Sequence, residues 1–263
     1  MLLHAAFIPH SPLLLPSVHA AHRGLLAPTV EAIEEVAKHL YVLAPDVLCV
    51  VSGHGEHYAD AFSADMAPSY AADLHAFGDL STPPNFAGAP ALCDRLQRHL
   101  RQSRVPFTLS TNETLEYGTS VVLRLLAEKL PRARILPLAF SDLSRKDHFQ
   151  FGQIIRDVFD ETSERVVVVG SGDLSHALES TSPAGFAPEG KVFDDALVQA
   201  VSQGSASHLL TLSEEVVVRA HESGLRPLLV LFGLLEKTWY RTEVLSYQAP
   251  LGVGYLVAQF NLR

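Results

Sequence analysis

Two stretches of this chain are apolar at every position: residues 47–51 read Val-Leu-Cys-Val-Val, and residues 166–169 are four consecutive valines. A strand with one wet face alternates apolar and polar residues, whereas a continuous, β-branched run is covered on both faces. Two such strands point to a parallel or mixed sheet held between helical layers. The remaining pattern agrees. Strand-like runs fall at 3–8, 47–52, 108–110, 134–140 and 165–170, and helical periodicity marks 29–41, 89–101, 118–130, 146–160, 191–202, 213–220 and 225–236. Runs at 242–247 and 253–260 are separated only by residues 248–252, which predicts an antiparallel hairpin closing the sheet. The expectation is one α/β domain over 1–263, with a central mixed, mostly parallel sheet and helices on both faces. Residues 59–90, rich in Ala, Asp, Ser and Pro, form the longest irregular stretch and are placed to cover a site.

A chain of 263 residues that is 48% hydrophobic can bury most of its apolar surface without disulfide or metal staples. Its net charge of −9 argues against a nucleic-acid binder and against attachment to an anionic membrane. Cys49 and Cys93 are far apart and fit neither a disulfide framework nor a metal knuckle, a pattern expected of a reducing, cytoplasmic compartment. The opening segment lacks a basic n-region, and His4, Pro9, His10 and Pro12 interrupt its apolar run, so it reads as a first buried strand rather than a signal peptide.

Among the 13 histidines, three follow predicted strands. His10 follows 3–8, His54 follows 47–52 in Ser-Gly-His-Gly-Glu-His, and His176 follows 165–170 in Gly-Ser-Gly-Asp-Leu-Ser-His. If the strands are parallel, their carboxyl ends share the sheet edge where open α/β folds place ligands, and three imidazoles distant in sequence can meet. Ser52, Gly53, Gly55, Ser171 and Gly172 around them permit tight turns and close backbone approach. Several readings stay open: two His and a carboxylate around Fe(II), the same ligands around Zn²⁺ for hydrolysis, a histidine kept off the metal as acid/base, or three loop histidines bonded to backbone. His39, His99 and His208 read as surface residues of amphipathic helices, and His19, His22, His75 and His148 as residues of loops and helix starts. No complete dinucleotide, P-loop, nucleophile-elbow or HExxH motif is present.

Four segments occur together in order: Phe7-Ile8-Pro9-His10-Ser11-Pro12-Leu13-Leu14, Ser52-Gly53-His54-Gly55, Ser171-Gly172-Asp173-Leu174-Ser175-His176 and Pro250-Leu251-Gly252-Val253-Gly254-Tyr255. In this the whole chain resembles class III extradiol ring-cleavage dioxygenases, the superfamily of the protocatechuate 4,5-dioxygenase catalytic subunit, and within it the branch related to the Memo-like proteins. The resemblance implies one mononuclear Fe(II) site, with Zn the alternative metal. His10 and His54 match its two histidine ligands and His176 its acid/base. Small aromatic diol and O2 are the implied reactants, in a homo-oligomer or beside a small partner subunit. For the third ligand the expectation is Glu222, with His221 the alternative, while an ungapped match falls on Ser223 or Gly224, neither a good ligand. Where relatives carry Asp-His-Gly this chain has Glu116-Tyr117-Gly118, and Ser52-Gly53-His54 replaces Ser-Pro-His. Tyr117, His57 and Asp173 are expected on the substrate side, Tyr117 as a hydrogen-bond donor and Asp173 as an orienting carboxylate. A Zn-dependent hydrolase and a non-catalytic, Memo-like binding protein are the competing readings.

Overall fold

The structure, a computed structural model, describes residues 1–18 and 24–262. His19 and His22 lie outside the described residues. Ten strands and eight α-helices are present among those described: β1 (Leu2–Ile8), α1 (Ala27–Leu43), β2 (Val47–Ser52), β3 (Phe62–Asp65), β4 (Ser69–Ala71), β5 (Asn85–Ala87), α2 (Pro90–Gln102), β6 (Phe107–Ser110), α3 (Tyr117–Leu126), β7 (Arg134–Ala139), α4 (Arg145–Asp160), β8 (Val166–Ser171), α5 (Pro188–Gln203), α6 (Ser207–Thr211), α7 (Glu214–Ala220), α8 (Leu225–Leu235), β9 (Tyr240–Gln248) and β10 (Tyr255–Leu262).

Eight strands form one sheet in the order β6-β3-β7-β2-β8-β1-β10-β9. Its middle, β7-β2-β8-β1, is parallel throughout, so four strand carboxyl ends share one edge. β3 meets β7 antiparallel, and the β9–β10 hairpin adds to β1 antiparallel, as its short connection predicts. The two apolar runs occupy the central β2 and β8, where every residue of 47–51 and 166–169 is fully buried. At about 1.5–3 kcal/mol for each large apolar side chain buried, such strands anchor the fold.

Two apolar layers cover the sheet. One packs α2, α4, α5, α7 and α8 against Val47, Cys49, Val51, Val166 and Val168. The other packs α1 and α3 against Leu48, Val50, Val167 and Val169. Local chemistry fixes the helix ends. Ser144 and Asp147 form a reciprocal capping box at the start of α4, and Glu116 accepts the Thr119 and Gly118 amides to start α3.

The stretch 59–90 is less irregular than its composition suggests, since it contains β3, β4 and β5. Its strands are three or four residues long, and β3 finds its partners in the distant β6 and β7, so no local periodicity reveals them. His148 stands at a helix start, as expected, but not at the surface. It is fully buried in the first turn of α4, with Nδ1 2.8 Å from the Ser144 carbonyl and its ring edge-on to Phe62. Burial lowers its pKa to about 4. No helix among the described residues is long and apolar enough to cross a membrane.

Candidate functional site

The parallel strands deliver three histidines to one edge. His10 stands two residues beyond β1, His54 two beyond β2, and His176 five beyond β8. The Nε2 atoms of His10 and His54 lie 3.1 Å apart, with the rings edge-to-face at 4.7 Å between centroids. Burial lowers both pKa values to about 3, with neighbouring imidazoles adding to the effect, so both rings are neutral.

The tautomer of His10 follows from its partners. Ser171 Oγ donates to the Gly118 carbonyl at 3.0 Å, so at 2.9 Å it accepts from His10 Nδ1–H. The Nε2 lone pair then faces His54. The backbone N–H of His10 donates to Asp173 Oδ1 at 3.0 Å, which ties the β1 loop to the β8 loop. This convergence leaves no room for a side chain at Gly118, where a Cβ would stand 2.7 Å from Ser52 Oγ and 3.1 Å from His10 Nδ1. At Gly172 a Cβ would meet the backbone of Ser223 and Gly224.

His176 is oriented from behind. Its Nδ1 lies 2.7 Å from the carbonyl oxygen of His221, which only accepts, so Nδ1 carries the proton and Nε2 the lone pair of the neutral ring. His221 caps α7 in a left-handed conformation, φ 50°, and this turn aims its carbonyl at His176. Nε2 stands 3.9 Å from Asp173 Oδ2, and burial raises the pKa of that carboxyl against the opposing pull of His176. Tyr117 places its hydroxyl 2.8 Å from His54 Nε2, its ring over that of His54 at 4.2 Å.

Beside this group a cleft of about 500 Å³ is lined by apolar Pro12, Leu13, Phe77 and Leu251 together with Tyr117, Asp173, His176 and Tyr255. Phe77 comes from the 59–90 stretch and packs on Tyr117 at 5.1 Å, so that stretch does cover the site. Phe77 lies in no recognisable motif, and Tyr255 ends the Pro250–Tyr255 segment, although only the fold shows that it lines the cleft. Ser171 belongs to the Ser171–His176 segment, but only the fold shows that it orients His10.

The structure thus gathers His10, His54, His176, Tyr117 and Asp173. Two residues of the sequence expectation stand elsewhere. His57 is exposed and paired with Asp142 at 3.0 Å, and the cleft lining does not include it. Glu222 accepts the Leu225 amide at 2.7 Å and caps α8; burial raises its pKa, while the charges acting on it are Arg226 and Arg145. The alternative His221 is exposed and contributes its carbonyl. Ser223 instead faces the imidazole pair, its Oγ 3.3 Å from His10 Nε2 and held by the Asp173 amide at 3.0 Å.

A divalent metal bonds imidazole nitrogens at about 2.0–2.1 Å, so neighbouring ligands at normal angles stand about 3–3.4 Å apart. The separation of the His10 and His54 nitrogens meets that requirement. The carboxylate of a facial triad is missing: among the described residues no group of three His, Cys, Asp or Glu is placed to hold a metal ion.

Residues 4–258 match the family described as the catalytic LigB subunit of aromatic ring-opening dioxygenase. Protein CA_C1420 of Clostridium acetobutylicum is 26% identical over 97% of this chain, and the chain spans about half of that relative's length, 56%. The crystal structure of the uncharacterized protein JW3007 from Escherichia coli K12 superposes with a TM-score of 0.71 at 19% identity, covering 98% of this chain and 99% of that one, a likeness of fold. With its sheet, its histidine-bearing strand ends and a match over nearly its whole length, the chain belongs to the LigB family of aromatic ring-opening dioxygenase catalytic subunits.

Proposed function

We propose that this protein is an Fe(II)-dependent, extradiol-type dioxygenase that opens the ring of a small aromatic diol. His10 and His54 would hold the iron, with zinc the alternative, and the metal would supply Lewis acidity and a place for O2. The chain's own part is binding, orientation and proton movement. Apolar Pro12, Leu13, Phe77 and Leu251 enclose a flat ring and exclude water, while the Tyr117 hydroxyl meets a polar edge. His176 takes a hydroxyl proton at Nε2, and the Asp173 carboxylate stabilises the resulting imidazolium. The observation that carries this reading is the pinned tautomer of His176, whose Nδ1–H is committed to the His221 carbonyl so that a base faces the cleft.

The test compares wild type and His176→Ala, both loaded anaerobically with Fe(II), for binding and O2 uptake with a panel of catechols. Turnover by wild type, with a loss of about 10²–10⁴-fold in the variant and retained binding, is the expected result. Absence of O2 uptake by wild type with every diol that binds overturns the reading. A ligand-binding protein without turnover is the second reading, favoured by Ser223 standing where a triad would place a carboxylate.

A further inference from the structure

β9 borders the main sheet, paired with β10 on one side and, among the described residues, with no strand on the other. Such a border presents backbone N–H and C=O groups that can template a further strand. No residue of Tyr240–Gln248 is fully buried, and Arg241 and Glu243 are exposed. Trp239, the chain's only tryptophan, stands just before the strand and is 83% exposed.

Residues 239–245 read Trp-Tyr-Arg-Thr-Glu-Val-Leu, a segment that complements its own reverse about Thr242. Laid antiparallel on a second copy with the two Thr242 residues opposed, each Arg241 faces the Glu243 of the other copy. Tyr240 then faces Val244, and Trp239 faces Leu245. Opposite charges, an aromatic with a β-branched residue, and threonine with threonine are the cross-strand pairs that stabilise antiparallel ladders. Centring the pairing on Arg241 or on Glu243 instead sets like charges directly opposite, so only one of these neighbouring registers is favourable.

The segment is also held ready. Tyr240 and Val244 pack against the core beneath them, and the Tyr240 hydroxyl donates to the Gly204 carbonyl at 2.9 Å. Gln259 Nε2 donates to Glu243 Oε2 at 2.9 Å and holds that carboxylate through one oxygen. The register of β9 against β10 shifts after Val244, where Leu245 is the extra residue of a bulge. The regular ladder is therefore Tyr240–Val244, with Trp239 meeting the other copy at its bulge.

We propose that the protein pairs with a second copy of itself through β9, in the register centred on Thr242, so that one sheet runs through both copies. β10 is antiparallel to β1 and to β9, so β9 runs in the direction of β1. Antiparallel pairing of the two β9 strands then sets the histidine-bearing edges at opposite ends of the joined sheet. The pairing depends on no metal and no diol.

The experiment is sedimentation velocity on the full chain from micromolar to submillimolar concentration, with Trp239 emission recorded in parallel. Wild type is compared with Glu243→Arg, Arg241→Glu and the double variant Arg241→Glu/Glu243→Arg, with circular dichroism checking that each folds. Wild type is expected to dimerise with concentration, its emission moving to shorter wavelength as the indole leaves water. Each single variant turns both symmetry-related ion pairs into like-charge pairs and is expected to weaken the dimer about tenfold or more. The double variant restores opposite charges and is expected to return the affinity to within about threefold of wild type. Glu243→Gln, a milder change, serves if a charge reversal does not fold, with a loss of about threefold expected. A wild type that stays monomeric throughout overturns the proposal. Single variants that dimerise like wild type exclude β9 as the interface. A double variant as weak as the single ones, or an emission that does not change on assembly, overturns the register.

Discussion

The fully buried carboxylate of Asp194 accepts the Tyr247 hydroxyl at 2.8 Å. Its other oxygen accepts the amide of Ser175, the residue before His176, so α5 and β9 together hold the loop that carries the proposed base. Burial raises the Asp194 pKa to about 7. An unfolded aspartate loses its proton near pH 4, so between about pH 4 and 7 the folded state binds more protons and stability falls as pH rises. Asp194→Asn keeps the shape without this titration. Wild type is expected to lose about 2–4 kcal/mol relative to the variant between pH 4.5 and 8. Urea unfolding of both proteins across that range checks it, and parallel pH profiles would count against a buried, titrating carboxyl.

Substitution tests the expectation that Glu222 or His221 holds a metal, against the roles the structure gives them. Glu222→Gln weakens a charge-assisted cap on α8 and is expected to cost about 1 kcal/mol. His221→Gly relieves a left-handed residue and retains the carbonyl that holds His176, so a gain of about 1 kcal/mol is expected. Neither variant should change Co(II) affinity measured in the presence of 4-nitrocatechol. A tenfold loss in either would identify that side chain as a ligand.

His4, on β1, is buried against His39 with ring centroids 4.6 Å apart, and its Nε2 has no hydrogen-bond partner among the described residues. Burial, helped by His39, lowers its pKa to about 3. The unfolded chain takes up this proton near pH 6.5, so stability is lost as pH falls from there toward 3. His4→Phe preserves a ring and removes the unpaired nitrogen. It is expected to stabilise the protein by about 1 kcal/mol at pH 7.5 and by more at pH 5. An equal effect at the two pH values would show that His4 does not titrate in this range.

Much of this arrangement is legible in the sequence because it depends on local regularities. The unbroken apolar runs at 47–51 and 166–169 identify buried central strands, and a parallel sheet then places His10, His54 and His176 at one edge. What is not legible depends on long-range closure. The short β3 is recognisable only through its pairing with β6 and β7. His148 is polar at a helix start, yet the rings of Phe62 and Phe140 bury it. The third position of the imidazole site is set by the turn after α7, where His221 adopts φ 50°, so that Glu222 faces α8 and Ser223 faces His10. Residue type draws attention to the glutamate; the backbone conformation of the turn brings the serine beside the imidazoles.

Because Ser223 belongs to a connecting loop, while both imidazoles follow strands of the central sheet, frame and chemistry are separable in descent. Substitution at position 223 changes what stands beside the two imidazoles without touching either strand that carries them.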